Sequence, residues 1–168
     1  MSKNNNFDLL RLFGAALVVY GHSYPLTGAA APGFAANPVG TIGVKIFFVV
    51  SGYLVAQSWV RDSHLVRFAV RRGLRIFPAL TVVVLVSVFF LGPVFTSLPL
   101  DEYFPHPLTS AYLRNIVLYI SYALPGVFEH NTYPAAVNGS LWSLPAEFAM
   151  YLLTPLILGV KTKNEGCQ

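Results

Sequence analysis

FDLLRLFGAALVVYGHSY, residues 7–24, is the segment on which the predicted fold is based. Its apolar content and length approach the roughly 20 helical residues that cross a bilayer core. Because each helical residue turns about 100°, eleven steps bring His22 back to within about 20° of Arg11, on the same face. Ionisable residues at membrane depth usually face a bundle interior or a wet cavity, which makes this face a candidate functional site. Alternatively, Arg11 is a cationic flank and His22 lies at the opposite interface.

A secretory signal peptide is a second interpretation of the N-terminal region. Lys3 would be its charged region, residues 12–20 its apolar region and residues 29–31 its cleavage site. Asp8 and Arg11 interrupt that pattern, and further apolar segments follow, so the pattern favours a membrane span.

The composition indicates a polytopic membrane protein. Of 168 residues, 55% are hydrophobic and 11% are charged, whereas soluble domains carry about 25% charged residues. The net charge of +4 comes largely from arginines between apolar spans, which membrane topology explains better than nucleic-acid binding. The single cysteine, Cys167, provides neither a disulfide framework nor a cysteine-based metal site within the chain.

Residues 40–60 and 76–95 form the second and third apolar segments. Lys45, near the start of the second segment, is expected to extend to the membrane interface. Small residues in the second segment would let helices approach closely; they are Gly40, Gly43, Ser51 and Gly52.

The connection between these two segments, RDSHLVRFAVRRGLR at residues 61–75, concentrates positive charge. Its five arginines are Arg61, Arg67, Arg71, Arg72 and Arg75. The positive-inside rule places this connection, and therefore the N-terminus, in the cytoplasm. Guanidinium groups also match phosphate oxygens, so either topology alone or a phosphorylated cosubstrate explains the cluster.

The remaining connections are predicted to be irregular. Residues 25–37 and 98–109 are rich in turn-forming residues and read as external loops. Residues 115–128 are short for a span and fit either a crossing segment or an interfacial or re-entrant helix. Three histidines lack a metal partner at ligand spacing and read as solvated, namely His64, His106 and His130.

The last informative stretch is NGSLWSLPAEFAMYLLTP, residues 138–155. Ser143 is a plausible N-cap and Pro145 suits a first helical turn, so a helix over residues 144–160 would cross the bilayer core. Glu147 falls in that first turn. It either favours the positive end of the helix dipole or serves as a buried carboxylate that orients a catalytic histidine.

With these stretches in place, the chain resembles the acyltransferase-3 family of bacterial membrane acyltransferases, which acylate sugars of lipopolysaccharide, peptidoglycan and other acceptors. Four stretches in the expected order carry the resemblance. They are residues 7–22 with Arg11 and His22, GVKIFFVVSGYL at 43–54, RRGLRIFPAL at 71–80, and residues 138–155 with Trp142, Ser143 and Glu147.

The resemblance implies a catalytic centre built on two residues. His22 would act as general base on a sugar hydroxyl, since a neutral imidazole can accept that proton. Glu147 would orient the imidazole or stabilise its protonated form. Arg11 would fix the local field or contact the donor. No nucleophilic serine is evident, because Ser51 lacks the glycine that precedes a nucleophile elbow.

The resemblance also implies a donor site. Arg71, Arg72 and Arg75 would hold the phosphates of an acyl-CoA, with acetyl-CoA expected, while Trp142 and Ser143 support the site. Acyl-CoA is a donor substrate here, and neither a cofactor nor a metal is expected.

The implied fold is all-α, a polytopic transmembrane bundle of about four to five helices from a domain of about ten. Residues 1–160 would be its N-terminal half and residues 161–168 a hydrophilic tail. The expected location is the bacterial inner membrane, with the bilayer, acyl-CoA and a carbohydrate as partners and a second-half fragment or another copy completing the site. A transporter-like bundle or an inactive truncated remnant are the alternatives.

Overall fold

The computed structural model describes residues 6–165, with side chains to residue 159, and the described chain is mostly helical. The expected all-α class is confirmed. The chain divides between Arg61 and Asp62 into two compact units. The first unit contains, in order, α1 (Asn6–Thr27), the antiparallel hairpin β1 (Gly33–Phe34) and β2 (Asn37–Pro38), and α2 (Val39–Arg61).

Glycines determine how α1 and α2 pack. A Cβ on Gly21 would lie 2.4 Å from the Cα of Gly40, and a Cβ on Gly43 would lie 2.6 Å from the carbonyl oxygen of Gly14. Neither helix could carry a side chain at these positions without moving away from the other. The predicted role of Gly40 and Gly43 in close helix approach is therefore confirmed.

The predicted loop at residues 25–37 is shorter than expected, because α1 continues through Pro25 to Thr27. Ala35 and Ala36 have φ values of 49° and 61°, which matches a tight hairpin turn between β1 and β2. Lys45 Nζ donates a hydrogen bond of 2.6 Å to Asn37 Oδ1. The lysine thereby ties α2 to the hairpin.

The second unit is built on two long helices with short elements between them. Its elements are α3 (Leu65–Val86), a π-helical segment (Ser87–Leu91), α4 (Gly92–Phe95), α5 (Leu100–Tyr103), α6 (Pro107–Leu113), 3-10 turns at Arg114–Val117 and Gly139–Trp142, and α7 (Ser143–Glu165). Its core is apolar and includes Phe68, Ile76, Leu80, Val84, Val88, Tyr103, Tyr112, Leu124, Val127, Leu141 and Tyr151.

The prediction that residues 61–75 form a connection is wrong, because α3 begins at Leu65 and only residues 62–64 join the helices. Phe68, Ile76 and Leu80 recur at helical spacing and are buried, so the apolar face extends the helix through the basic segment. The His64 ring accepts a hydrogen bond from the backbone N–H of Arg67 as N-cap. His64 is exposed, as expected from the sequence, and also caps the helix.

Asp62 anchors the start of α3. Its carboxylate accepts two hydrogen bonds from Arg67, from Nη2 at 2.8 Å and Nε at 3.1 Å, and one from Arg71 Nη1 at 3.0 Å. The hydrogen bonds from Arg67, and then from Arg71, hold the pKa of the Asp62 carboxyl far below its ordinary value.

The predicted loop at residues 98–109 is largely helical, and it supplies a core residue. Tyr103 is fully buried, and its hydroxyl donates a 2.9 Å hydrogen bond to the carbonyl oxygen of Val88 in the π-helical segment. His106 Nδ1 accepts from the backbone N–H of Leu108 at 3.1 Å and caps α6. His106 thus has a structural role at the start of α6 in addition to the solvent exposure expected from the sequence.

Residues 115–128 form neither of the two helices that the sequence allowed. After the 3-10 turn Arg114–Val117, Leu118 adopts a left-handed conformation with φ of 63° and ends the helix. The buried side chain of Asn115 then donates to Ser121 O at 2.9 Å and accepts from Ser121 N at 2.9 Å. The Asn115 side chain thus pairs the backbone N–H and C=O groups of Ser121, which in a helix would pair with other backbone groups.

Asn138 caps the 3-10 turn that precedes the final helix, and the Ser143 side chain does not act as the predicted N-cap. Asn138 Oδ1 accepts from Ser140 N at 3.1 Å, while Ser143 Oγ donates to Ser140 O at 3.2 Å. The 3-10 turn Gly139–Trp142 precedes α7, so Glu147 lies beyond the first helical turn. The helix extends to Glu165; side chains of the predicted tail at residues 161–168, and all of residues 166–168, lie outside the described residues.

Three helices in the described part of the chain are long and apolar enough to cross a membrane: Val39–Arg61, Leu65–Phe95 and Gly139–Gly159. The helix α1, which carries Arg11 and His22, is not among them. Its assignment as a span stays a prediction.

We expect Gly21→Ala to destabilise the first unit. The new Cβ would lie 2.4 Å from Gly40 Cα, and overpacking of this kind costs about 1–3 kcal/mol. Gly159→Ala is the matched control, because a Cβ there meets nothing within 4 Å. Thermal unfolding in detergent should show a lower melting temperature for Gly21→Ala alone. An unchanged or raised melting temperature in that variant would contradict the glycine contact.

We expect Asp62→Asn to remove a pH-dependent contribution to stability. The folded pKa of Asp62 is depressed, so its contribution is present above the ordinary carboxyl pKa of about 3.9 and is lost as the pH falls through the folded value. The melting temperature of the unmodified chain should therefore exceed that of Asp62→Asn at pH 7, and the gap should narrow below about pH 4. The exposed Asp101 provides the control Asp101→Asn, for which no gap is expected. A gap that does not change with pH would contradict the ion pairing.

Candidate functional site

The predicted site residues fall into both units. Arg11 and His22 lie on α1 of the first unit. The other predicted site residues lie in the second unit. Arg71, Arg72 and Arg75 are on α3. Trp142 lies in the 3-10 turn before α7, and Ser143 and Glu147 are on α7. Each group has its own geometry.

His22 has one ring nitrogen fixed and the other available. Nδ1 lies 2.8 Å from the carbonyl oxygen of Val18. Because a carbonyl oxygen can only accept, this hydrogen bond requires the proton on Nδ1 and leaves the lone pair on Nε2. The glycine contact lies beside it, since a Cβ on Gly40 would be 4.0 Å from His22 Nδ1. The imidazole is exposed within the chain and is arranged to accept a proton at Nε2.

Arg11 lies on the same continuous helix as His22, three turns before it. Its side chain is half-buried. Because α1 is one uninterrupted helix from Arg11 to His22, the eleven-residue spacing places both residues on the same face.

Glu147 is held by a neighbouring tyrosine on α7. The Tyr151 hydroxyl, one helical turn later, donates a hydrogen bond to Glu147 Oε1. Tyr151 is 2% exposed, so this contact lies in the core of the second unit. The bond fixes the orientation of a half-buried carboxylate.

The Tyr151 ring also contacts the arginine segment. Arg72 Cζ lies 5.5 Å from the centroid of the Tyr151 ring and 5.5 Å from that of Phe68. This distance is within the range of cation–π attraction. The structure thus brings the arginine motif of α3 and the glutamate of α7 together through one tyrosine.

The three predicted donor arginines have three different environments. Arg72 is half-buried between aromatic rings, and Arg71 shares the carboxylate of Asp62. Arg75 is exposed and projects from the helix one turn beyond Arg71. Only Arg71 and Arg75 are therefore placed to present guanidinium groups to a solvent-borne ligand.

Two further residues belong to this site: Arg67, which the sequence indicated only as a member of the arginine cluster, and Tyr151, which it did not indicate. Arg67 extends the row of Arg71 and Arg75 at intervals of four, which places all three on one face of α3. Tyr151 stands four residues after Glu147, the spacing at which helical side chains meet. Both spacings are visible in the sequence, but only the burial of Tyr151 shows that its hydroxyl is directed at Glu147.

Trp142 lines a cleft, whereas Ser143 turns to its own backbone. The cleft, of about 360 Å³, lies in the second unit and also involves Tyr122 and Tyr133. Ser143 Oγ donates to Ser140 O, which makes it part of the helix start. Among the described residues, no group of three or more histidine, cysteine or acidic side chains is arranged to hold a metal ion.

Comparison with known proteins gives a consistent match. A family model described as an acyltransferase domain matches residues 4–164. The chain is 36% identical to an O-acetyl transferase of Shigella phage Sf6 over 92% of this chain and 46% of the relative. It is 33% identical to nodulation protein 10 of Rhizobium leguminosarum bv. viciae over 93% of this chain and 44% of that protein.

A further relative is the peptidoglycan O-acetyltransferase OatA of Listeria monocytogenes, 33% identical over 74% of this chain and 20% of that protein. The chain thus spans less than half the length of these curated relatives. No solved structure matches significantly.

The apolar helices and the family match together define the class of protein. Three helices have the length and composition of membrane spans, and the family model covers nearly all of the sequence. The protein is an integral membrane protein, and the chain belongs to the acyltransferase-3 family.

Proposed function

We propose that the protein takes part in membrane-bound acyl transfer, moving an acyl group, in the simplest case acetyl, from acyl-CoA to a hydroxyl of a carbohydrate acceptor. Two relatives, an O-acetyl transferase and a peptidoglycan O-acetyltransferase, support the acyl group and the class of acceptor. The acyl-CoA donor is supported by the arginine row on α3. Lipopolysaccharide and other surface polysaccharides belong to the same class of acceptor.

The observation that carries the proposal is the hydrogen bond of His22 Nδ1 to Val18 O. With Nδ1 protonated, Nε2 removes the proton of the acceptor hydroxyl as its oxygen attacks the thioester carbonyl. The new C–O bond forms and the C–S bond breaks. The proton held on Nε2 then passes to the departing thiolate, so the imidazole returns to its neutral state. Arg11, on the same helix, contributes positive charge to this region.

The donor role is divided among the arginines. Arg71 and Arg75 bind the phosphates of acyl-CoA, because they are exposed on one face of α3. Arg72 stacks on Tyr151 and holds the helix pair in register. Trp142 and Ser143 support the start of α7.

Glu147 is the catalytic carboxylate of the proposal. The hydrogen bond from Tyr151 keeps one carboxylate oxygen in a fixed direction and leaves the other oxygen available. A carboxylate so held can stabilise positive charge that develops during transfer.

The proposed location is the bacterial inner membrane, with the N-terminus in the cytoplasm. The arginine-rich start of α3 supports that orientation through the positive-inside rule. The bilayer, acyl-CoA and the carbohydrate are the proposed partners, and a second-half fragment or another copy would complete the enclosure of the site.

We expect His22→Ala to lower acyl transfer by about 10²–10⁴-fold, the usual contribution of a general base. Transfer from radiolabelled acetyl-CoA to a carbohydrate fraction is measured in membranes that hold the chain alone, and in membranes that also hold the C-terminal half of the phage relative. His130→Ala is the matched control, because His130 is exposed in the second unit.

Full turnover in His22→Ala, at normal expression, would contradict the role of His22. Substrate movement without consumption of acetyl-CoA would instead identify a transporter. Absence of turnover in both membrane preparations would contradict the proposed activity.

We expect Tyr151→Phe to reduce acyl transfer through kcat, with little change in the KM for acetyl-CoA. The change removes only the hydroxyl that holds Glu147 and keeps the ring on which Arg72 stacks. Tyr119→Phe is the control, because the Tyr119 side chain is exposed while its ring likewise contacts an arginine. A change in KM with kcat unaltered would show that Tyr151 acts on donor binding and not on Glu147.

A further inference from the structure

The cleft beside Trp142 is an aromatic feature that the proposed catalytic chemistry does not use. It is formed by the irregular segment after α6 and by the 3-10 turn that precedes α7, and its volume is about 360 Å³. Three aromatic side chains line it, Tyr122, Tyr133 and Trp142, with exposed fractions of 40%, 50% and 48%. The volume lies within the range of small-molecule sites, about 300–1,000 Å³.

The walls of the cleft are fixed by backbone hydrogen bonds. Val137 N donates to Tyr122 O at 2.9 Å, and Ala135 N donates to Phe128 O at 3.0 Å. Ala135 has a φ of 57°, a left-handed conformation that persists only where the surroundings enforce it. The cleft is therefore preformed, which lowers the entropic cost of binding.

The chemistry of the lining selects among ligands. Within the described part of the chain, the hydroxyls of Tyr122 and Tyr133 and the indole N–H of Trp142 form no hydrogen bond. Each ring thus offers an apolar face and an unused polar group. No lysine or arginine is among the lining residues, which argues against the phosphates of a nucleotide donor. A neutral ligand with apolar faces and a hydroxylated edge fits this lining, and a pyranose ring has that form.

The position of the cleft relates it to the proposed chemistry. Trp142 ends the 3-10 turn that leads directly into α7, and Glu147 is the fifth residue of that helix. A ring held at Trp142 would therefore lie near the end of α7 that carries the carboxylate.

From these observations we propose that the cleft binds one neutral pyranose ring of the carbohydrate acceptor, by stacking on Trp142 and Tyr133 and by hydrogen bonds from the tyrosine hydroxyls. The choice of acceptor rests on the proposed function. The site itself rests on the lining and can be tested by binding alone.

Tryptophan fluorescence tests the proposal without turnover. The chain has two tryptophans, of which Trp59 is 8% exposed on α2 and Trp142 is 48% exposed in the cleft. Trp59→Phe leaves Trp142 as the single emitter. We expect N,N′-diacetylchitobiose or methyl β-glucoside to change the Trp142 emission saturably, with a shift to shorter wavelength as the sugar displaces water. Cyclohexanol, an apolar ring with one hydroxyl, should not do so.

A second substitution in the Trp59→Phe background identifies the site. Tyr133→Ala should weaken sugar binding at least tenfold, about 1.4 kcal/mol, whereas Tyr119→Ala, exposed and outside the cleft, should not. Tyr133→Phe keeps the ring and should give a smaller loss, which covers the case in which Tyr133→Ala fails to fold. No saturable response to either sugar, or equal binding in the Tyr133 variants, would overturn the proposal.

The binding and turnover experiments distinguish failure of the sugar site from failure of the proposed function. Saturable binding at Trp142 with no acyl transfer would keep the sugar site and reject the proposed function. Acyl transfer with an unchanged acceptor KM in Tyr133→Ala would keep the function and reject the cleft as its acceptor site.

Discussion

Two linked contacts among three side chains connect the long helices of the second unit. An arginine packs over the ring of a tyrosine, and the hydroxyl of that tyrosine donates a hydrogen bond to a glutamate. Arg72 stacks on Tyr151, and Tyr151 donates to Glu147. At a half-buried position the cation–π contact is worth about 0.5–2 kcal/mol, and a hydrogen bond to a charged group about 1.5–3 kcal/mol. Together they tie α3 to α7 and orient the proposed catalytic carboxylate. Phe77 and Phe148, with ring centroids 5.6 Å apart, pack across the same pair of helices.

In the first unit, α1 and α2 pack closely because glycines stand where the two helices meet. Lipid tails are as apolar as leucine, so membrane helices gain little from hydrophobicity and associate through close packing. The contact of Gly21 with Gly40 provides that packing. It also places the His22 ring beside a backbone without a side chain, where the bond to Val18 determines which nitrogen remains basic.

The irregular segment between α6 and α7 connects structure with specificity. Non-helical backbone at membrane depth needs hydrogen-bond partners within the protein or a water-filled cavity to line. In the first part of this segment, the Asn115 side chain donates a hydrogen bond to the backbone carbonyl of Ser121. Later in the segment, Thr96 Oγ1 donates a 2.8 Å hydrogen bond to the carbonyl oxygen of Pro125. The later part lines the aromatic cleft. A helix in this place would have left no such cleft.

The class of protein, the family and the apolar segment at residues 40–60 could all be predicted from the sequence, and the structure gives that segment as the helix Val39–Arg61. Composition, local hydropathy and the order of motifs are properties of neighbouring residues, and they need no tertiary information. The glycines of α2 were predictable for the same reason, although their partners Gly14 and Gly21 were not.

Packing between distant residues sets where α3 begins and what holds Glu147, and neither could be predicted from the sequence. The helix start at Leu65 depends on burial of Phe68, and the irregular path after Val117 depends on Asn115 reaching Ser121. The proposed roles of His22, Glu147 and the arginines remain predictions. Sequence motifs identify the chemical groups, whereas catalysis depends on how the side chains are oriented. Direction follows from packing between residues distant in the chain, as with Arg72 and Tyr151, and no local pattern contains it.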